Sequence, residues 1–143
     1  MGLSYLHLQP GDAPPEQANG PFRAVIVSEV EVAQDWRNLI AEWLVNSACL
    51  YVVAWGVECE AWHDTVDWSV LEEFEFGDVP DGKSVMTTWH ANEPLSEAFW
   101  FAGQCATHPD IHLGETVILH ISKKASRTEM LKIYAASQIN SDE

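Results

Sequence analysis

Positive charge is what this chain lacks most. Seven Lys and Arg stand against 22 Asp and Glu, for a formal net charge of −15, and Arg23, Arg37 and Lys83 are the only cations in residues 1–122. Phosphate backbones bind through clustered Lys and Arg, so nucleic acid is excluded as a partner for most of this surface. Anionic membranes are disfavoured by the same argument. An acidic surface favours fast, salt-sensitive association with a basic protein, or simply keeps the chain in solution.

Other shortages narrow the field further. Three Cys, at 49, 59 and 105, form no paired spacing. A disulfide framework is therefore not expected, and free thiols in a reducing compartment are. No stretch approaches the roughly 20 apolar residues of a membrane-spanning helix. The start, "MGLSYLHLQPGD", has neither a basic region nor a long apolar run, and Leu6 stands where a myristoylation pattern needs Ser or Thr. A cytoplasmic location is expected.

Motifs for common chemistry are missing too. A pyrophosphate cradle needs a Gly-rich turn between first strand and first helix, and here that turn reads "VSEVEVAQDW". Neither H-E-x-x-H, paired C-x-x-C nor a calcium loop occurs. Glu60 with Asp64, His63 with Asp67, and "HPDIH" at 108–112 supply isolated ligand types without a full set. Neither a metal nor an organic cofactor is expected. Lys123, Lys124 and Arg127, ahead of the last helix, are the one small basic patch, suited to a single anionic group.

What is present is the composition of a packed domain: 143 residues, 47% apolar, with seven Trp. Residues 9–21, "QPGDAPPEQANGP", hold four of the seven prolines and read as a linker or surface loop. The domain proper is expected over 22–138, with tails at 1–21 and 139–143. "SYLHL" is either an extra edge strand or a mobile lead.

From Phe22 onward, strand and helix patterns alternate. "FRAVIVSEV" and "LYVVAW" are near-continuous apolar runs, as in strands covered on both faces. Trp36, Leu39, Ile40, Trp43 and Leu44 make one helical stripe. "SVLEEFEF", from about Thr65, predicts a less regular helix, "SVMTTW" a third strand, and "PLSEAFWFAGQCATH" a helix opened by Pro94. "TVILHIS" predicts a fourth strand. Ser126 and Glu129 then fit a capping box for a last helix. The alternation predicts a single α/β domain of three layers, α/β/α, with a mainly parallel four-stranded sheet of flavodoxin-like order 2-1-3-4 counted from Phe22.

In such sheets ligands sit beyond the carboxyl ends of the strands. That edge gathers Glu31, Trp55, Cys59, Trp89, His90, His120 and Lys123. Cys59 with His90 or His120 would form a nucleophile and base, oriented by Glu31 or Glu58. Glu31, Trp55, Trp89 and Lys123 would line a ligand pocket. The bland alternatives are a buried thiol, an ordinary polar loop at His90 and a hydrogen-bonded sheet histidine at His120.

The second candidate lies in "ECEAWHDTVDWSVLEEFEFGDVPD". Nine acidic residues run from Glu58 to Asp81 with no Lys or Arg, interleaved with aromatics. Aromatics anchor interface centres and carboxylates speed encounter, so Glu58, Glu60, Trp62, Asp64, Asp67 and Trp68 form a candidate surface for a basic partner. The alternative places Trp62 and Trp68 in the core and the carboxylates on a solvated helix face. Two functions follow. The first is an acidic, inhibitor-like or immunity-like module that engages a basic protein and needs no catalysis. The second is a small enzyme or ligand sensor working at the strand ends. The sequence is silent on oligomeric state.

Overall fold

The computed structural model of the chain describes residues 2–16 and 20–139. Five strands make one sheet: β1 (Gly2–Leu8), β2 (Phe22–Ser28), β3 (Cys49–Gly56), β4 (Met86–His90) and β5 (Glu115–Ile121). All four neighbouring pairs are parallel. The helices are α1 (Gln34–Asn46), α2 (Cys59–Glu73), α3 (Leu95–Gln104) and α4 (Arg127–Ser137).

Alternation along the strands sends successive side chains to opposite faces, and each face buries its own cluster. Ala24, Ile26, Val52 and Leu119 meet Trp36, Ile40 and Leu44 of α1 and Trp62 and Val66 of α2. Val25, Val53 and Ile118 meet Phe99 and Ala102 of α3 and Met130 and Tyr134 of α4. The result is the three-layer α/β/α domain that the strand and helix patterns predict.

The strand order departs from the expected one. It runs β1-β5-β2-β3-β4, which is 4-1-2-3 when counted from Phe22. Right-handed crossovers permit either order, so handedness alone does not choose. Strand character does. The chain segment "MTTWH" is short and half polar, which suits an edge, whereas "TVILHI" is apolar and must be flanked on both sides. β4 accordingly lies at the edge, and β5 sits between β1 and β2.

Other boundaries also moved. "SYLHL" belongs to β1, paired over seven residues with β5, so the folded unit begins there rather than at Phe22. The loop after it is tied down where the Trp36 indole donates to the Asp12 carbonyl at 2.8 Å. Beyond Ile139, the expected C-terminal tail lies outside the described residues. Helix α2 begins at Cys59, earlier than expected, because Cys59, Trp62, Val66 and Val70 supply the buried stripe that the carboxylates between them obscured. It ends before Glu75 and Phe76, both in the left-handed region. At α4 the capping box does not form: Ser126 makes no side-chain cap bond, and its N–H donates instead to the Tyr5 hydroxyl at 2.8 Å.

Candidate functional site

The edge cluster expected at the strand ends is divided by the sheet. Cys59 opens α2 and is buried in the core on the α1/α2 side. His120 points to the opposite face, where its Nδ1 meets the Tyr5 hydroxyl at 2.6 Å and its Nε2 meets a Glu29 carboxylate oxygen. His90 lies beside Phe101 of α3, again across the sheet from Cys59. The thiol therefore has neither histidine as its base. Strand alternation is the reason: Cys59 packs under one face while positions 90 and 120 belong to the other.

Each histidine nevertheless stands between a hydroxyl and a carboxylate. Thr88 Oγ1 is 3.0 Å from His90 Nε2, and Glu93 Oε1 is 3.1 Å from its Nδ1. The Tyr5, His120 and Glu29 arrangement is closed to solvent at the imidazole, which is 0% exposed. Because Tyr5 Oη already accepts the Ser126 N–H, donating its proton to Nδ1 leaves Nε2–H to bond Glu29, and both rings are satisfied. This set joins β1, β5, the loop after β2 and the start of α4.

The remaining pocket candidates are dispersed. The Trp55 indole donates to the Glu93 carbonyl at 2.7 Å, bracing the turn that follows His90 and carries Glu93. Trp89 projects from the edge strand to the other face, edge-on to His63 of α2 at 4.6 Å. Glu31 is exposed in the loop after β2, and Lys123, also exposed, offers its carbonyl to the Gln9 side chain. Glu58 orients no histidine; it holds the buried guanidinium of Arg37 at 3.0 Å. Among the described residues no group of three or more His, Cys, Asp or Glu is placed to hold a metal ion. His108 of "HPDIH" is buried: its Nδ1 accepts the N–H groups of Asp110 and Ile111, and its Nε2 meets the Ser84 carbonyl at 2.7 Å.

The acidic stretch sorts its aromatic residues sharply. Trp62 is 0% exposed and packs edge-on against Trp36 at 6.2 Å, so it belongs to the core and not to a partner surface. Helical spacing decides this, since position 62 shares the inward stripe with 59, 66 and 70. Trp68 is 54% exposed and stands edge-to-face with Phe76, itself 60% exposed, at 5.4 Å. Leu71 is exposed beside them, and its carbonyl accepts the Phe76 N–H. Asp64 and Glu72, one helical turn either side of Trp68, and Glu75 and Asp78, flanking Phe76 in sequence, are all exposed, as is Glu60 at the head of the same helix. Asp67 leans to the sheet edge and accepts the Thr87 hydroxyl at 2.7 Å. Phe76, one of the aromatics interleaved with the acidic run, follows the end of α2 with a left-handed backbone, so helix periodicity does not describe which way it faces.

Residues 3–137 match the family described as Domain of unknown function (DUF7684), and the chain belongs to that family. No curated protein and no solved structure matches the chain. No helix among the described residues is long and apolar enough to cross a membrane.

Proposed function

We propose that this domain is an acidic binding module that engages a basic protein through the outer face of α2 and the turn following it. The observation that carries the reading is the exposed, mutually contacting pair of Trp68 and Phe76 on a helix and turn that also expose Asp64, Glu72, Glu75 and Asp78. Two large rings in mutual contact, half open to water, have apolar surface left to bury, and the surrounding charge selects a cationic partner. Trp is a preferred centre for interface energy. Nothing in this function needs a catalytic group.

The test is capture from native lysate at low salt, elution with salt, and identification of what is released, followed by binding isotherms with the purified partner. Trp68→Ser should weaken binding by roughly 30-fold or more, the cost of removing a central anchor of about 2 kcal/mol. Glu60→Gln, Asp64→Asn and Glu72→Gln together should flatten the salt dependence. Unchanged affinity and salt slope in both variants would remove this face as the contact.

The second reading, a small enzyme or sensor at the strand ends, is supported by the placement of Thr88, His90 and Glu93. His90 would accept the Thr88 proton and Glu93 would orient the ring. Hydrolysis of an activated ester above the buffer rate, lost in both Thr88→Val and His90→Gln, would favour it.

A further inference from the structure

A cavity of about 690 Å³ lies at the other end of the sheet, beyond the amino ends of β1, β2 and β5. Its wall is mostly apolar, with Leu3, Leu113 and Ile111 beside the Tyr134 ring. That volume falls in the range of small-molecule sites, which are typically apolar with a few placed polar groups. Arg23, from the start of β2, is the one Lys or Arg among the described residues of this wall, which also includes His108 and His112.

Arg23, half-buried, differs from the buried guanidinium of Arg37. Arg37 has the Glu58 carboxylate at 3.0 Å. Arg23 has no carboxylate within ion-pair distance among the described residues, although the chain carries 22 Asp and Glu. Its Nε and Nη2 donate to the Ala106 carbonyl at 3.0 and 2.6 Å, and its Nη1 donates to Thr116 Oγ1 at 2.8 Å. These bonds use three of the five N–H donors of a guanidinium. Burial pulls the Arg23 pKa below its ordinary value, with the nearby Tyr134 and Tyr51 opposing that shift. A half-buried cation without a counter-charge costs stability that an anion in the cavity would restore.

We infer that this cavity binds a small monocarboxylate with a hydrocarbon or aromatic body, the carboxylate on the Arg23 guanidinium and the body against Leu3, Ile111, Leu113 and Tyr134. A planar guanidinium fits a carboxylate in particular, because its fork of donors matches two oxygens. The net charge of −15 works against the approach of highly charged anions, so a single carboxylate on an apolar body suits the site better than a polyphosphate. This site is independent of the aromatic face on α2.

Octanoate and its neutral counterpart octanamide are the probes. The full chain is titrated with each while the Arg23 Nε–H resonance and the melting temperature are followed. Saturable octanoate binding that moves the Arg23 signal, with octanamide at least tenfold weaker, is the expected result. Arg23→Gln should abolish the difference between the probes. Ile111→Trp, which adds bulk to the cavity wall at a residue that is not a hydrogen-bond partner of Arg23, should weaken both, and it decides the matter if Arg23→Gln does not fold. Equal affinity for the two probes, an unmoved Arg23 resonance, or no saturable binding at millimolar octanoate would overturn the inference.

Discussion

Glu58 offers a quantitative test of how this structure is held together, because its two expected roles and its observed one predict different outcomes. It holds Arg37, which is buried, at 3.0 Å, and Arg37 is further bonded to Gln34 at 2.6 Å. Removing one partner of a fully buried pair costs about 3–5 kcal/mol, and a hydrogen bond to a charged group nets about 1.5–3 kcal/mol. The Glu58 side chain is 34% exposed, so solvent screens the pair and the lower range applies. Glu58→Ala should therefore cost about 2 kcal/mol, or about 6 °C in melting temperature for a domain of this size. Helix capping adds nothing, since Glu58 makes no side-chain cap bond to α2. The backbone adds a second, opposite effect: Glu58 has φ 58°, in the left-handed region, where glycine is unstrained. Glu58→Gly loses the same ion pair but relieves that strain, and should cost less than Glu58→Ala by up to about 1 kcal/mol. Urea and thermal unfolding followed by tryptophan fluorescence measure both, and a double-mutant cycle with Arg37→Met isolates the pair. An Ala variant within about 0.5 kcal/mol of the parent, or a Gly variant less stable than the Ala one, would refute the reasoning.

Further outcomes follow from the same packing. Trp62→Ala should cost about 3–5 kcal/mol in urea unfolding, and Trp62→Phe distinctly less, because the Trp62 Nε1 is buried without a hydrogen-bond partner among the described residues and Phe removes it. Trp68→Ser, in contrast, should leave stability much closer to that of the parent while affecting partner binding. His120→Phe orphans the buried end of the Tyr5 bond and releases Glu29, costing about 1–3 kcal/mol; hydrogen exchange should show β1 opening first. The Cys49 thiol, fully buried, is pushed up to about 12 from 9.0, chiefly by desolvation. The folded state thus keeps a proton that the unfolded state loses, so this group's stabilisation is complete below pH 9 and is lost as pH rises toward 12. At pH 8 a thiol reagent should label the exposed Cys105 rapidly and Cys49 only on unfolding.

Local patterns in the chain were enough to read its class. The stripe from Trp36 to Leu44 and the β-branched runs at 22–28 and 49–54 state their own periodicity, and a period of 3.6 or 2 is a property of neighbours in sequence. The same holds for the acidic run between Glu58 and Asp81, whose charge is written in the residues themselves. Placement across long separations was not legible. Tyr5 and His120 stand 115 positions apart and meet because β1 pairs with β5. No local signal ranks which parallel neighbour a strand takes when right-handed crossovers allow several. Cys59 and His120 were close on a flat reading of the strand ends, but the sheet separates them by face. Trp62 and Trp68 have similar acidic surroundings in sequence, yet helix phase against the core buries one and exposes the other. Arg23 reads as a strand residue beside a proline loop, and only the convergence of β1, β2, β5 and the ends of α3 and α4 makes it the cation of a cavity. Sequence determined the elements and the charge, because these depend on adjacent residues. Tertiary structure decided which groups share a face, a cavity or a hydrogen bond, because those depend on strand order and helix phase.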